Sequence, residues 1–180
     1  MWFRTLLLQL TWRFRPRLGI HDVARLRMRV LPTDIDVLRH INNGIYLSLM
    51  DMGRWDLLLR AGVWQRMSAA GVVPVVASST MTYRRSLQLG QRYVLETRII
   101  GYDERSVYVE QRFTVRGEVY ARGILRGAFL RRRGGVVRTA ELGELLGVDT
   151  AALPVAPWIA DWATAVALPS TRAEAPSNWT

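Results

Sequence analysis

Residues 34–61 read DIDVLRHINNGIYLSLMDMGRWDLLLRA, and the change of pattern inside this stretch decides the fold. Up to Asn43 the segment is polar and turn-forming. From Gly44 onward apolar residues recur at helical spacing: Tyr46, Met50, Gly53 and Leu57 form one stripe, and Ile45, Leu49 and Met52 widen it. Gly62 is a natural stop, so the spacing predicts a helix over 44–61. A helix apolar over so much of its circumference is wrapped by other elements, not laid on a surface. Ser48, Asp51 and Trp55 interrupt the apolar surface along one line, while Asp56 and Arg60 are spaced for an i,i+4 ion pair with the acid first.

On either side of this stretch the pattern is that of strands. From Ala24 to Val30 the chain alternates, Leu26, Met28 and Val30 on one face and Arg25, Arg27 and Arg29 on the other, until Pro32 ends the run. Beyond Gly71 the spans 72–83, 92–101, 106–116 and 118–131 are rich in Val, Tyr, Thr, Ile and Phe. The turns between them, at 89–91, 101–104 and 116–118, are short and imply antiparallel neighbours. Gly123 and Gly127 predict a bend or bulge in the last strand. A short helix is expected over 140–146, closed by Gly147. The order of one strand, one long apolar helix and four antiparallel strands defines an α+β class, a curved antiparallel sheet wrapped around a central helix. We divide the chain into an N-terminal arm (1–21), the main domain (22–149) and a C-terminal tail (150–180). In that tail Trp158 and Trp162 are anchor candidates, and about the last ten residues have the composition of disorder.

Composition narrows the chemistry. The 180 residues suit one domain with a real core. Cysteine is absent, which removes disulfides, thiolate metal sites and cysteine nucleophiles. The net charge of +10 comes from 25 basic residues, all of them arginine. Most are scattered at strand-like spacing, the mark of a solvated face, so no nucleic-acid partner is expected. No GxSxG elbow, HExxH, P-loop or GxGxxG occurs.

In the first seventeen residues Phe3, Leu7, Leu10 and Phe14 share a helical stripe among arginines. Two readings stand: an amphipathic arm lying on a membrane surface, or a helix packed on the domain or on a second copy. The apolar run Leu6–Leu8 is too short for a spanning helix or a secretory core, so a cytoplasmic location, peripheral to a membrane at most, is expected.

The loop DIDVLRHINNGIY resembles the Asp-x-Asp-x-x-Gly-His-x-Asn-Asn-x-x-Tyr signature of hotdog-fold acyl-CoA thioesterases of the 4-hydroxybenzoyl-CoA thioesterase type. The continuation LSLMDMGRWD resembles that family's helix, and TYRRSLQLGQRY its aromatic-Arg-Arg strand end and Gly-Gln turn. The branch called thioesterase superfamily member six is the nearest in pattern, and the resemblance spans about residues 22–132. It implies a hotdog fold, hydrolysis of an acyl-CoA to acid and thiol without metal or cofactor, and a homodimer or homotetramer with sites built across subunits. It also implies that Asp36 is the general base or nucleophile, that the amide near Asn43 donates to the oxyanion, and that His40 steers either group.

Read from the residues alone, each position has a plainer alternative. Asp34 and Asp36 suit loop formation, Asn42 or Asn43 is a good helix N-cap, His40 suits a structural hydrogen bond, and Tyr46 suits the core. Asp51 is the rival carboxylate. On a nearly apolar helix its burial would raise its pKa, and Arg54 at i+3 is its candidate partner. Asn42, Tyr46 and Tyr83 complete the candidate substrate site, with Arg84 and Arg85 as phosphate forks or a solvated strand end. Arg131 to Arg133 end the last strand in the same way. Arg39 replaces the family's Gly, and a left-handed conformation there would carry a cost. A non-catalytic acyl-CoA or lipid-binding module at a membrane surface is the competing function.

Overall fold

The four long β-branched and aromatic runs pair, in a computed structural model, into one antiparallel sheet of six strands. The structure describes residues 2–170 and 172–177, Trp2 by its backbone alone. The helices are α1 (Trp2–Thr11), α2 (Asn43–Arg60), α3 (Val63–Ala69), α4 (Thr139–Leu146) and α5 (Pro157–Ala165), and Trp12–Phe14 and Pro32–Asp34 are 3-10 turns. The strands are β1 (Ala24–Arg29), β2 (Val72–Tyr83), β3 (Arg92–Tyr102), β4 (Ser106–Val115), β5 (Glu118–Arg131) and β6 (Val136–Val137). The main strands and α2 fall within a residue or so of their expected spans.

The sheet order is β1-β3-β4-β5-β2, with β6 added beside β5. β2 therefore pairs with β5 at an edge and not with β3, which corrects the expectation drawn from the short 89–91 turn. The connection 84–91 is not a hairpin loop. It runs beside the first turns of α2, buries Leu87 completely and bonds to the loop before the helix through Ile41 N–H to the Leu87 carbonyl at 3.1 Å.

α2 sits on the centre of the sheet with very little clearance. A methyl group added at Gly53 would stand 2.5 Å from Thr97 Oγ1, 2.6 Å from Gln111 Nε2 and 2.9 Å from Leu95 Cδ2. Gln111, fully buried in β4, donates from Nε2 to the Met50 carbonyl at 2.9 Å and to Thr97 Oγ1 at 2.8 Å, and its Oε1 accepts from Arg54 at 2.8 Å. Gly123 serves a similar close approach, since a Cβ there would collide with the Met50 and Met81 side chains. Opposite Gly127 it is β2 that slips register, between Val76 and Ser78, while the extra residue of β5 is Tyr120, between the partners of Phe113 and Thr114.

Around this seat Tyr46, Leu49 and Met50 pack against Leu95, Phe113 and Leu87. A second cluster joins Val63 and Met67 of α3 to Leu125, Phe129 and Leu142. α3 escapes sequence reading because its apolar repeat is one turn long. Gly62, in the left-handed region at φ 69°, both ends α2 and starts α3. The tail is ordered through α5, whose Ile159 and Ala163 bury against Tyr108 and Ile124 on the other side of the sheet. Trp162 is half-buried there, but Trp158 is 54% exposed and lies outside that cluster, which corrects its expected role as an anchor. The expected disordered end falls in part on residues 171 and 178–180, outside the described residues.

Two buried carboxylates tie distant segments together. Asp34 receives both Arg4 nitrogens at 2.9 and 2.7 Å, and Asp56 is shared by Arg15 and Arg60, so the expected Asp56–Arg60 pair forms at 3.1 Å. On the α5 side of the sheet Glu110 is clasped by Arg98 and Arg112 at 2.8 and 2.9 Å. Burial raises the Glu110 pKa, but the hydrogen bonds from Arg98 and Arg112 outweigh it and hold the group below its ordinary 4.5.

Two outcomes are expected. Gly53→Ala, which overpacks a rigid seat, lowers the unfolding free energy by about 1–3 kcal/mol in urea titrations. Because the folded pKa of Glu110 is depressed, its contribution is complete above pH 4.5 and is lost as pH falls through the lower folded value. Glu110→Gln therefore flattens the acid limb of the stability profile, measured as urea midpoint against pH.

Candidate active site

The 34–43 segment folds as a tight turn leading into α2. Asp34 N–H donates to the Leu31 carbonyl at 3.0 Å and its carboxylate accepts from Leu31 N–H at 2.8 Å, so with Arg4 bound as well this acid is structural. Asp36 N–H donates to the His40 carbonyl, and Arg39 N–H to the Asp36 carbonyl, both at 3.0 Å. Arg39 takes the left-handed conformation at φ 65°, so the backbone path associated with glycine is kept by an arginine. Asp36 Oδ1 accepts from Leu38 N–H at 2.9 Å, and His40 Nδ1 lies 3.7 Å from the same oxygen, too far for a hydrogen bond. Oδ2 of Asp36 has no hydrogen-bond partner among the described residues, and the side chain is 23% exposed.

Asn42 is the N-cap of α2: its Oδ1 accepts from Gly44 N–H at 2.9 Å. Asn43 is the first helical residue, and its N–H has no partner among the described residues, so the positive end of the helix dipole is open there. Tyr83 donates to the Asn43 carbonyl at 3.4 Å and meets Tyr46 edge-on, centroids 5.2 Å apart. Tyr46 is core, packed also on Phe113, and burial raises the phenol pKa of both tyrosines. The chain runs on from Tyr83 through Arg84 and Arg85, both half-exposed and both reaching Glu118, at 3.8 and 2.8 Å.

The structure thus joins Asp36 to His40 in the loop, and Asn43 and Tyr46 of the first turn of α2 to Tyr83 at the end of β2. Asp51 stands apart. Eight residues beyond Asn43, it lies about 12 Å along the helix axis. Its side chain is 62% exposed and paired with Arg54, which corrects the expectation of a buried carboxylate. The reason is that the one line of α2 left uncovered by the sheet passes through Leu47 and Asp51.

Two features here were not anticipated. Asp51, Arg54 and Trp55 border an apolar cavity of about 160 Å³ between α2, α3, α4 and the sheet, lined deeper in by Met67, Leu125 and Phe129. At one end of the sheet an open groove of about 1130 Å³ is lined by Arg27, Arg29, Arg85, Arg92 and Arg116. The alternating arginines of β1 were its sequence signal, but only strand pairing sets them beside Arg85 and Arg92.

The model of the thioesterase-like superfamily matches residues 30–163. The chain belongs to that superfamily. It is 38% identical to Protein THEM6 of Xenopus laevis over 96 residues, which cover 53% of this chain and 46% of that protein. The chain thus spans about half the length of the THEM6 relatives it matches. It is also 27% identical to the long-chain acyl-CoA thioesterase FadM of Escherichia coli over 92 residues, 51% of this chain and 70% of that one. Among solved structures, the probable thioesterase YbaW of Escherichia coli superposes with a TM-score of 0.64 at 24% identity, covering 68% of this chain and 96% of that one. A gentisyl-coenzyme A thioesterase gives 0.60 at 17% identity, covering 67% and 98%. The architecture shared with these thioesterases is the hotdog fold that the loop motif implied.

A backbone test of the loop follows. Arg39→Val, which puts a β-branched residue at φ 65°, costs about 1–2 kcal/mol of stability. Arg39→Gly stays within about 1 kcal/mol of the wild type, because lost strain and added chain entropy offset each other. Thermal and urea unfolding of the two variants checks both.

Proposed function

We propose that this chain is an acyl-CoA thioesterase in which Asp36 drives hydrolysis and the helix-terminal amide of Asn43 stabilises the oxyanion, working as a homodimer or homotetramer. The observation that carries the reading is that, among the described residues, an Asp36 oxygen and the first helical N–H both lack a partner and stand on the same loop and helix start. Acting as base, Asp36 takes a proton from water as the water oxygen bonds to the thioester carbon. The carbonyl oxygen gains the negative charge opposite the Asn43 N–H. Collapse of the tetrahedral adduct breaks the C–S bond, and Asp36 returns the proton to the CoA thiolate. Acting as nucleophile, the same oxygen attacks the carbon directly, the C–S bond breaks and the CoA thiolate leaves to take a proton from solvent, and water then opens the anhydride to release the acid and free Asp36. His40 orients the Asp36 side of the loop. Arg85 and its neighbours in the arginine groove suit the CoA phosphates, and the name of the FadM relative and the apolar cavity both support an acyl group that is apolar.

One observation favours a second reading, a non-catalytic acyl-CoA or lipid carrier. Asp51 borders the apolar cavity and Asp36 does not, so an acyl chain held there is about 12 Å or more along α2 from the oxyanion amide of the same protomer.

An acyl-CoA panel assayed on the wild type, Asp36→Asn and Asp51→Asn tests both. The enzyme reading expects release of free CoA, a loss of about 100-fold or more in kcat with Asp36→Asn, and less than about tenfold change with Asp51→Asn, both variants remaining folded. Unchanged turnover in Asp36→Asn removes that residue from the mechanism. Saturable binding across the panel without hydrolysis by the wild type selects the carrier.

A further inference from the structure

α1 is held on the domain by one side only. Leu8 is buried, and Arg4 reaches Asp34 and the Arg29 carbonyl, the latter at 2.8 Å. These contacts fix the roll of the helix and turn its apolar stripe outward. Phe3 is 74% exposed, Leu6 54%, Leu10 63%, and Phe14 in the following 3-10 turn 89%. A helix docked merely to cover a core places its apolar side inward, so this orientation leaves a face that another apolar phase has to meet.

Beside the stripe lies a second feature. Trp12, Arg13, Arg15, Arg17 and Arg60 line a pocket of about 250 Å³. Arg15 and Arg60 share one carboxylate, Asp56, while Arg13 and Arg17 have no carboxylate partner among the described residues. Four arginines thus line this pocket while only two of them pair with a carboxylate among the described residues, a surplus of positive charge next to exposed phenylalanine and leucine.

We propose that this face docks the protein onto an anionic phospholipid bilayer, with Phe3, Leu6, Leu10 and Phe14 entering the acyl boundary and the arginine pocket taking a lipid phosphate. An apolar stripe flanked by arginine is the arrangement that lies in a membrane interface, where the apolar side chains leave water while guanidiniums fork onto phosphate oxygens. A second copy of the chain is the poorer occupant. A two-fold contact through this stripe would bring Arg13 and Arg17 of two chains, each of net charge +10, toward one another with neither arginine paired to a carboxylate among the described residues. No described helix is long and apolar enough to cross a membrane, and the docking proposed here runs through the exposed stripe and the arginine pocket. The docking face is independent of whether Asp36 hydrolyses a thioester.

Cosedimentation of the full chain with vesicles tests it. Wild-type protein is expected to bind vesicles of phosphatidylcholine mixed with phosphatidylglycerol, to bind phosphatidylcholine alone weakly, and to be released by salt. The double variant Leu10→Glu/Phe14→Glu, altered only at exposed positions, should lose roughly tenfold or more of its partitioning. Its circular dichroism should be unchanged. Arg13→Gln/Arg17→Gln should lose roughly tenfold or more on the mixed vesicles, with little change on phosphatidylcholine. Wild-type protein that stays in the supernatant, or variants that bind as well as the wild type, overturn the proposal. So does a fall in sedimenting mass of the Leu10→Glu/Phe14→Glu variant without vesicles, which would make the face an interface between copies. Release from the mixed vesicles by inorganic phosphate at constant ionic strength also overturns it, since the pocket would then be a site for soluble anions.

Discussion

Everything in this molecule is referred to the contact of Gly53 with the middle of the sheet. With no side chain there, the backbone of α2 comes down onto Thr97, Gln111 and Leu95, and Gln111 holds it by hydrogen bonds that reach the Met50 carbonyl and Arg54. The contact sets the height and rotation of α2 together. Rotation decides which residues the sheet covers, so Tyr46, Leu49 and Met50 are core while Asp51, one residue on, faces water. A buried polar side chain that satisfies several groups at once admits one position of the helix, where an apolar contact would tolerate sliding.

The start of α2 inherits this precision. Because the helix is fixed, Asn42 and Asn43 are fixed, and the loop before them is tied at both ends: Asp34 to the arm through Arg4, and Ile41 to the buried 84–91 connection. That connection also explains why β2 and β3 are apart. Its residues stay alongside the helix start, carrying Tyr83 to the Asn43 carbonyl and Arg85 to the arginine groove. The polar groups of the candidate site are therefore placed by segments whose own role is packing, and the turn itself carries a left-handed Arg39 that the surrounding hydrogen bonds hold in place.

Much of this was legible beforehand. The extent of α2 and of the main strands follows from side-chain periodicity, and the loop motif pointed to the hotdog fold. What stayed hidden has a common cause. α3 carries a single apolar repeat, the Arg4–Asp34 pair joins residues thirty positions apart, and Gln111 looks like any polar strand residue until the helix is laid across it.

The sequence by itself determined the extent of α2 and of the main strands and the class of the fold, because these depend on interactions within a few residues of chain. Only the tertiary structure decided that β2 crosses to the far edge, that Asp51 is exposed while Asp56 is buried, and that α1 turns its apolar stripe to solvent. Those outcomes depend on which distant surfaces close against each other. The choice was made by backbone clearance at Gly53, by the path of residues 84–91 and by the Arg4–Asp34 and Arg15–Asp56 pairs, contacts that no local pattern encodes.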